Sequence, residues 1–151
     1  MVRVSTSSRD DLAESLRERG LRVTPQRRAI LAAFSAGENG HVTADDVFER
    51  AVAGLPELSR ATVYNTLDLL ESLGEVLVLD FGQGYKRYDG RCPAPHAHLV
   101  CAACGRVDDV DGVDLANLPV QVADRTGYRV LEHRFDLRGL CPACQAAGFD
   151  L

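Results

Sequence analysis

Two short cysteine pairs in the C-terminal half constrain the fold of this chain more than any other feature. Cys101 and Cys104 form one C-x-x-C pair, Cys141 and Cys144 form a second, and thirty-six residues separate the two pairs. Four thiolates match the tetrahedral coordination of zinc, with Zn–S distances of about 2.3 Å. The spacing therefore predicts two short turns that hold one structural Zn²⁺ ion between them.

The same spacing leaves two alternatives open, a pair of disulfides and a thioredoxin-like redox motif. Residues 1–11 lack the apolar core of a secretion signal, and no stretch approaches the ~18 apolar residues of a membrane span. We therefore expect a cytoplasmic protein with no membrane partner, where this spacing indicates metal before disulfides. Having two copies argues against a redox motif. The fifth cysteine, Cys92, is interpreted as a bystander thiol, with a ligand or an oxidation target as the alternatives.

Charge is distributed unevenly along the 151 residues. The formal net charge is −5, but residues 17–28 carry five arginines against one acid, Glu18. An acidic chain with a basic patch is typical of DNA binding that is weak until assembly or a switch strengthens it. A solvated helix end is the other interpretation of this patch.

Helix start signals recur through the first half of the chain. Thr24 precedes Pro25, Thr43 precedes Asp46 at capping-box spacing, and Ser59 precedes a longer apolar-periodic run. Small hydroxyl residues cap helix N-termini, and proline favours the first helical position. Because apolar residues follow each signal at helical spacing, the sequence predicts three successive helices.

The apolar period changes from helical to alternating after Gly74. The run 76–79 and the return run 85–88 flank the glycine-rich turn 82–84, which is typical of a β-hairpin. Three helices followed by a hairpin describe a winged helix-turn-helix. In that architecture the last helix enters the major groove of DNA, and Lys86 and Arg87 of the hairpin suit backbone phosphates.

Polar residues on the predicted recognition helix are candidates for base contacts. Arginine pairs with guanine or phosphate, asparagine with adenine, and threonine with the thymine methyl group. An ordinary solvated helix face is the alternative interpretation. Together with the basic patch, the candidate DNA-binding residues are Arg22, Arg27, Arg60, Thr62, Tyr64 and Asn65.

The second half begins after a proline- and glycine-containing segment that we interpret as a hinge. Strand-like runs follow at 97–101, 106–110 and 128–137, with a helix in 113–125 that starts near Pro119. The open edge of so small a sheet favours pairing with a second copy, and a homodimer is what a helix-turn-helix protein needs to read an inverted repeat. The sequence thus predicts an α+β chain with a winged-helix domain over 1–88, a hinge over 89–95 and a dimerisation and metal-binding domain over 96–151.

Three segments of the chain resemble the ferric uptake regulator family: 21–27 (LRVTPQR), 59–65 (SRATVYN) and 96–105 (HAHLVCAACG). The resemblance covers roughly residues 10 to 145. It implies a homodimeric, metal-dependent transcriptional repressor of double-stranded operator DNA, with no small-molecule substrate and no enzymatic activity. It also implies that the four cysteines hold the family's structural zinc ion.

The family's regulatory metal site falls on His41, Asp89, His96, His98 and Asp109. His96 and His98 alternate along a predicted strand and so point to one face. Three histidines and two aspartates suit Fe²⁺ or Mn²⁺ better than a thiolate-seeking metal. The resemblance implies that the ion joins the DNA-binding and dimerisation domains and thereby shifts the population toward the DNA-competent state.

Aspartates at both carboxylate positions resemble the peroxide-responsive branch of the family. In that branch bound Fe²⁺ reacts with peroxide, a ligand histidine is oxidised, and the repressor releases DNA. One extra residue between Asp89 and His96 leaves the register of Asp89 open. The alternative is a zinc-uptake repressor whose Zn²⁺ ligands are Cys92, His96 and His98. A non-haem iron enzyme is a distant alternative, because the second half is too short for the barrel that a facial triad of ligands needs.

Overall fold

A computed structural model describes residues 9–37, 40–90, 96–110, 115 and 117–149 of the chain. The chain divides into two compact units, Met1–Ala94 and Pro95–Leu151, and each contains one three-stranded sheet. Of the proposed hinge, Asp89 and Gly90 are described, whereas 91–95, including Cys92, lie outside the described residues.

Four helices precede the hairpin of the first unit: α1 (Arg9–Glu18), α2 (Pro25–Ser35), α3 (Ala44–Val52) and α4 (Arg60–Ser72). Three of them begin at the hydroxyl caps that the sequence predicts. Thr24 accepts a hydrogen bond from the Arg27 amide at 3.2 Å, and Ser59 accepts one from the Thr62 amide at 3.2 Å. These bonds satisfy amides that a helix N-terminus otherwise leaves unpaired.

Apolar residues at helical spacing form the core of the first unit. Leu12 and Leu16 of α1 are fully buried, as are Ile30 and Leu31 of α2. From α4 the buried apolar side chains are Val63, Leu67 and Leu70, whereas the predicted Leu73 is only partly buried. This core leaves the opposite face of α4 to solvent, where Tyr64 and Asn65 lie.

The hairpin strands β2 (Leu77–Asp80) and β3 (Lys86–Asp89) are joined by a third strand, β1 (His41–Thr43), that the sequence did not predict. All pairs are antiparallel in the order β1-β3-β2, so β3 is central. Asp89, its last residue, lies opposite His41 on one side and Leu77 on the other. Helices followed by this small sheet confirm the winged helix-turn-helix.

The second unit has strands β4 (Ala97–Cys101), β5 (Val107–Asp109) and β6 (Phe135–Gly139) in the order β5-β4-β6. β5 pairs antiparallel with β4, whereas β6 pairs parallel with it. Helix α5 (Leu118–Thr126) starts one residue before Pro119, close to the prediction, and Val113 and Asp114 lie outside the described residues. A short helix, α6 (Pro142–Ala146), follows β6.

Two strands in the second unit are shorter than predicted, and β5 lacks one residue of its predicted range at each end. The expected strand 128–137 becomes β6 only from Phe135, because residues 128–134 pair with no other strand in the described part of this single chain. Helices and strands in both units confirm the α+β class. Among the described residues, no helix has the length and apolar character needed to cross a membrane.

Candidate metal centres and DNA-contacting residues

The four paired cysteines converge at one end of the second sheet. Cys101 ends β4, Cys104 lies in the turn after it, Cys141 directly precedes α6 and Cys144 lies within that helix. Their sulfur atoms all lie within 4.8 Å of one another, and Cys104 Sγ is 3.8 Å from Cys141 Sγ. The parallel β4–β6 pairing places Cys101 opposite Gly139, so both turns leave the sheet at the same end.

Hydrogen bonding shifts the pKa values of two of the four thiols in opposite directions. The Cys141 amide donates to Cys101 Sγ at 3.3 Å, and this bond together with one from the Cys104 amide lowers the pKa of Cys101 to about 6. Cys144 instead hydrogen-bonds to the Cys141 sulfur and is buried, which raises its pKa to about 12. Four free thiols in one cluster, one of them with a lowered pKa, fit a Zn²⁺ ion, which binds the deprotonated form.

A second group of metal-capable residues surrounds the start of β4. His96 Nε2 lies 2.9 Å from Asp109 Oδ1, and His98 Nε2 lies 3.9 Å from the same oxygen. The two imidazole centroids are 4.3 Å apart, so both rings face one side, as alternation along a strand requires. β5 places Asp109 directly opposite His98. Imidazole and carboxylate together fit Fe²⁺ or Mn²⁺.

His41 and Asp89 form a smaller group within the first unit. The β1–β3 register places them opposite each other, and His41 Nε2 lies 3.9 Å from Asp89 Oδ2. Both side chains are buried, with 2% and 0% of their surface exposed. Carboxylate oxygen and imidazole nitrogen are ligand types that suit a divalent ion such as Fe²⁺ or Mn²⁺.

Asp136 was not among the predicted site residues. Its Oδ1 lies 3.6 Å from His98 Nδ1, on the opposite side of the imidazole from Asp109. The sequence carries little signal of this contact, because it depends on β4 and β6 pairing in parallel, with His98 opposite Asp136.

The candidate DNA-binding residues lie on α4 and the start of α2. Tyr64 is 46% exposed and Asn65 is exposed, whereas Thr62 Oγ1 lies 2.8 Å from the cap hydroxyl of Ser59. Arg60 forms an ion pair with Asp45 and its guanidinium lies 4.4 Å above the Phe48 ring.

The two arginines near α2 are linked to each other. Arg27 Nη1 donates to the Arg22 carbonyl oxygen at 2.7 Å, and the Arg22 side chain is exposed. Arg22 is thus the more accessible of the two side chains, and contact of either arginine with a phosphate stays a prediction.

Comparisons with known proteins agree with this architecture. The family model described as the ferric uptake regulator family matches residues 18–138. The peroxide operon regulator of Bacillus subtilis is 36% identical over 131 residues, covering 87% of this chain and 89% of its own length. The peroxide-responsive repressor PerR of Staphylococcus saprophyticus is 35% identical over 136 residues, with 90% of each chain covered.

Among solved structures, the ferric uptake regulator of Vibrio cholerae superposes with a TM-score of 0.70 at 27% identity, covering 87% of this chain and 100% of that one. The match to the family model extends from the end of α1 to β6 and includes every histidine and aspartate described above. The chain therefore belongs to the ferric uptake regulator family.

Proposed function

We propose that this protein is a dimeric transcriptional repressor that binds operator DNA when Fe²⁺ or Mn²⁺ occupies a His/Asp regulatory site. The observation that carries the proposal is the shared carboxylate of Asp109, which lies within 4 Å of both His96 and His98. His98 and Asp109 are paired residues of β4 and β5, and His96 directly precedes β4, so the donor set is preorganised.

One ion takes ligands from both units in this proposal. His41 and Asp89 come from the unit that carries the recognition helix, and His96, His98 and Asp109 come from the other. An ion bound by both sets favours one arrangement of the two units. Its differential affinity for that arrangement supplies the free energy of the switch.

Dimerisation through the second unit places two recognition helices on one duplex. Apolar side chains on its surface support this part of the proposal: Val120 is 58% exposed, Leu131 79% and Leu137 54%. Covering such residues with a second copy would remove them from water. A two-fold dimer then reads an inverted repeat.

Peroxide is the proposed signal, supported by the relatives named for peroxide response at 36% and 35% identity. Bound Fe²⁺ would supply the electrons that reduce peroxide at this site. His41 and His96 are the ligand imidazoles whose oxidation would release the operator.

Zinc-uptake repression through Cys92, His96 and His98 is the second candidate. The 2.9 Å contact between His96 and Asp109 favours the first candidate, because it brings a carboxylate to the histidines and a nitrogen and oxygen donor set suits Fe²⁺ or Mn²⁺. An enzyme is not proposed, and a cytoplasmic location follows from action on operator DNA.

The experiment is fluorescence anisotropy with an inverted-repeat duplex and zinc-loaded protein. We expect tight binding with Fe²⁺ or Mn²⁺ and weak binding without either. Adding peroxide to the Fe²⁺ form should abolish binding and add oxygen to His41 or His96 by mass spectrometry, whereas the Mn²⁺ form should resist. Metal-independent binding would contradict the repressor mechanism, and activation by Zn²⁺ alone would select the zinc-uptake alternative.

A further inference from the structure

We infer that Asp136 is a positioning residue that sets the proton of His98 on Nδ1 and so prepares Nε2 to bind the regulatory metal. The inference rests on the proposed function, because it concerns a ligand of the proposed site. It depends on the position of His98 between two carboxylates. Asp136 lies 3.6 Å from Nδ1 of His98, and Asp109 lies 3.9 Å from Nε2.

The position of Asp136 is fixed by the backbone. His98 and Asp136 are paired residues of the parallel β4–β6 ladder, so their side chains leave the sheet on the same face. His98 is 1% exposed, which leaves its ring little room to rotate. The fold therefore places Nδ1 of His98 beside Asp136 and Nε2 beside Asp109.

Arg134 holds the other oxygen of Asp136. Its Nη2 lies 2.9 Å from Asp136 Oδ2, while Oδ1 is the oxygen that faces His98. The carboxylate is thus oriented by an arginine on one side and presents an acceptor to the imidazole on the other. At 3.6 Å the contact is longer than a formed hydrogen bond, and we expect it to shorten when an ion binds Nε2.

Distances around Asp109 support the Nδ1–H tautomer of His98. His96 Nε2 lies at hydrogen-bonding distance from Asp109 Oδ1, 2.9 Å, which requires a proton on that nitrogen. His98 Nε2 stays 3.9 Å from the same oxygen, as expected for a nitrogen that presents a lone pair. Metal-bound histidines usually donate their second N–H to a carboxylate or carbonyl, and that partner fixes both tautomer and ring orientation.

The neighbouring strand provides a matched control. Asp108 on β5 also has an arginine two residues earlier, Arg106, whose Nε lies 2.8 Å from its carboxylate. Asp108, however, lies opposite Leu99, whereas Asp136 lies opposite His98. Alanine at either aspartate therefore removes one negative charge and one ion pair with an arginine. Only Asp136→Ala also removes the contact with His98.

The first measurement is the tautomer of His98 by long-range ¹H–¹⁵N NMR on zinc-loaded protein without added metal. The chain has four histidines, so the imidazole signals can be assigned by substitution. We expect the Nδ1–H form in the unsubstituted protein, a shift toward Nε2–H in Asp136→Ala, recovery in Asp136→Glu, and no change in Asp108→Ala. An Nε2–H tautomer in the unsubstituted protein would overturn the inference.

The second measurement is Mn²⁺ affinity by EPR of the free ion. We expect Asp136→Ala to weaken Mn²⁺ binding by roughly 10- to 100-fold, and Asp108→Ala to leave it unchanged. Equal affinities and equal tautomers in these two variants would refute the role of Asp136. If neither the unsubstituted protein nor any variant binds Mn²⁺ at the His/Asp site, the proposed function fails. The tautomer measurement still decides the inference about Asp136. If Asp136→Ala does not fold, Asp136→Leu, which is close to aspartate in size and has no acceptor, carries the same comparison against Asp108→Leu.

Discussion

Single carboxylate oxygens determine how the histidines of this protein can act. Asp109 Oδ1 lies near both His96 and His98, and its distances to the two Nε2 atoms, 2.9 Å and 3.9 Å, differ by a full ångström. The short contact places a proton on Nε2 of His96, which an ion binding that nitrogen must displace. Nε2 of His98 makes no such short contact with Asp109. Metal affinity at such a group rises with pH because ligands must be deprotonated.

Replacing His96 by alanine should separate metal sensing from folding. His96 precedes β4 and its side chain is 19% exposed, so we expect His96→Ala to retain its zinc and its thermal stability but to lose Mn²⁺ binding and metal-activated DNA binding. The control is His133→Ala. The ring centroid of His133 lies 5.2 Å from that of Phe135, away from the proposed ligands in the sequence. Normal metal-activated DNA binding by His96→Ala would exclude His96 as a ligand.

Gly90 follows the proposed ligand Asp89 and has no room for a side chain. A Cβ atom at this position would overlap Phe34 Cε1 and lie 2.8 Å from its Cζ. We expect Gly90→Ala to cost about 1–3 kcal/mol of unfolding free energy through overpacking and to weaken Mn²⁺ binding. Gly54→Ala is the control, because the nearest atom there is 3.9 Å away. Denaturant titration of both variants measures the difference, and equal stabilities would contradict this account.

At the scale of elements, β1 and α3 are joined by a complete capping box. Thr43 Oγ1 accepts from the Asp46 amide at 3.1 Å, and the Thr43 amide donates to Asp46 Oδ2 at 2.8 Å. Burial raises the pKa of Asp46, but the two hydrogen bonds from Thr43 and the nearby Arg50 and Arg87 outweigh it and hold this pKa below its usual 3.8. The ionised carboxylate therefore stabilises the start of α3.

The capping box should make part of the stability depend on pH. A carboxyl whose pKa is lower in the folded than in the unfolded state stabilises above the unfolded value and loses that contribution as pH falls through the folded value. We expect Asp46→Asn to be less stable than the unsubstituted protein at pH 7 by about 1 kcal/mol, and the gap to close below about pH 4. Denaturant titrations at several pH values test this, and a constant gap would show that the charge of Asp46 is not involved.

Local sequence patterns predict the helices of this protein better than its strand pairings. Thr24, Thr43 and Ser59 cap α2, α3 and α4 as expected, because a cap is a contact within one turn of helix. β1 has three residues, too few to show an alternating pattern. The parallel pairing of β4 with β6 joins residues more than thirty positions apart, so no local signal reveals that Asp136 faces His98.

At the scale of the whole molecule, the two units differ in how much apolar surface they bury. The first contains the cluster of buried side chains that extends from Leu12 to Tyr88. The described part of the second buries few apolar residues: Ala97, Val100, Cys101, Val107 and Cys144. A unit with so small a core needs another source of stability, and a structural zinc ion contributes on the order of 10 kcal/mol in small domains.

Loss of the zinc ion should therefore unfold one unit and spare the other. We expect Cys101→Ser to abolish hydrogen-exchange protection in β4 and β6 and to prevent dimerisation, while amides of α2 and α4 stay protected. Ala103→Ser, an exposed position in the same C-x-x-C turn, is the control. If Cys101→Ser and His96→Ala gave the same phenotype, the division into a structural and a regulatory site would be wrong.

The direct junction between β1 and α3 has a consequence for natural variation among related chains. Thr43 is both the last residue of β1 and the N-cap of α3, so no loop separates His41 from the helix that follows. An inserted residue there would break the capping box or move His41 out of register with Asp89. The turn 82–84, with positive φ at Gly82 and Gly84, can change length without either effect. Insertions and deletions in relatives should therefore occur in that turn and be excluded from 41–46.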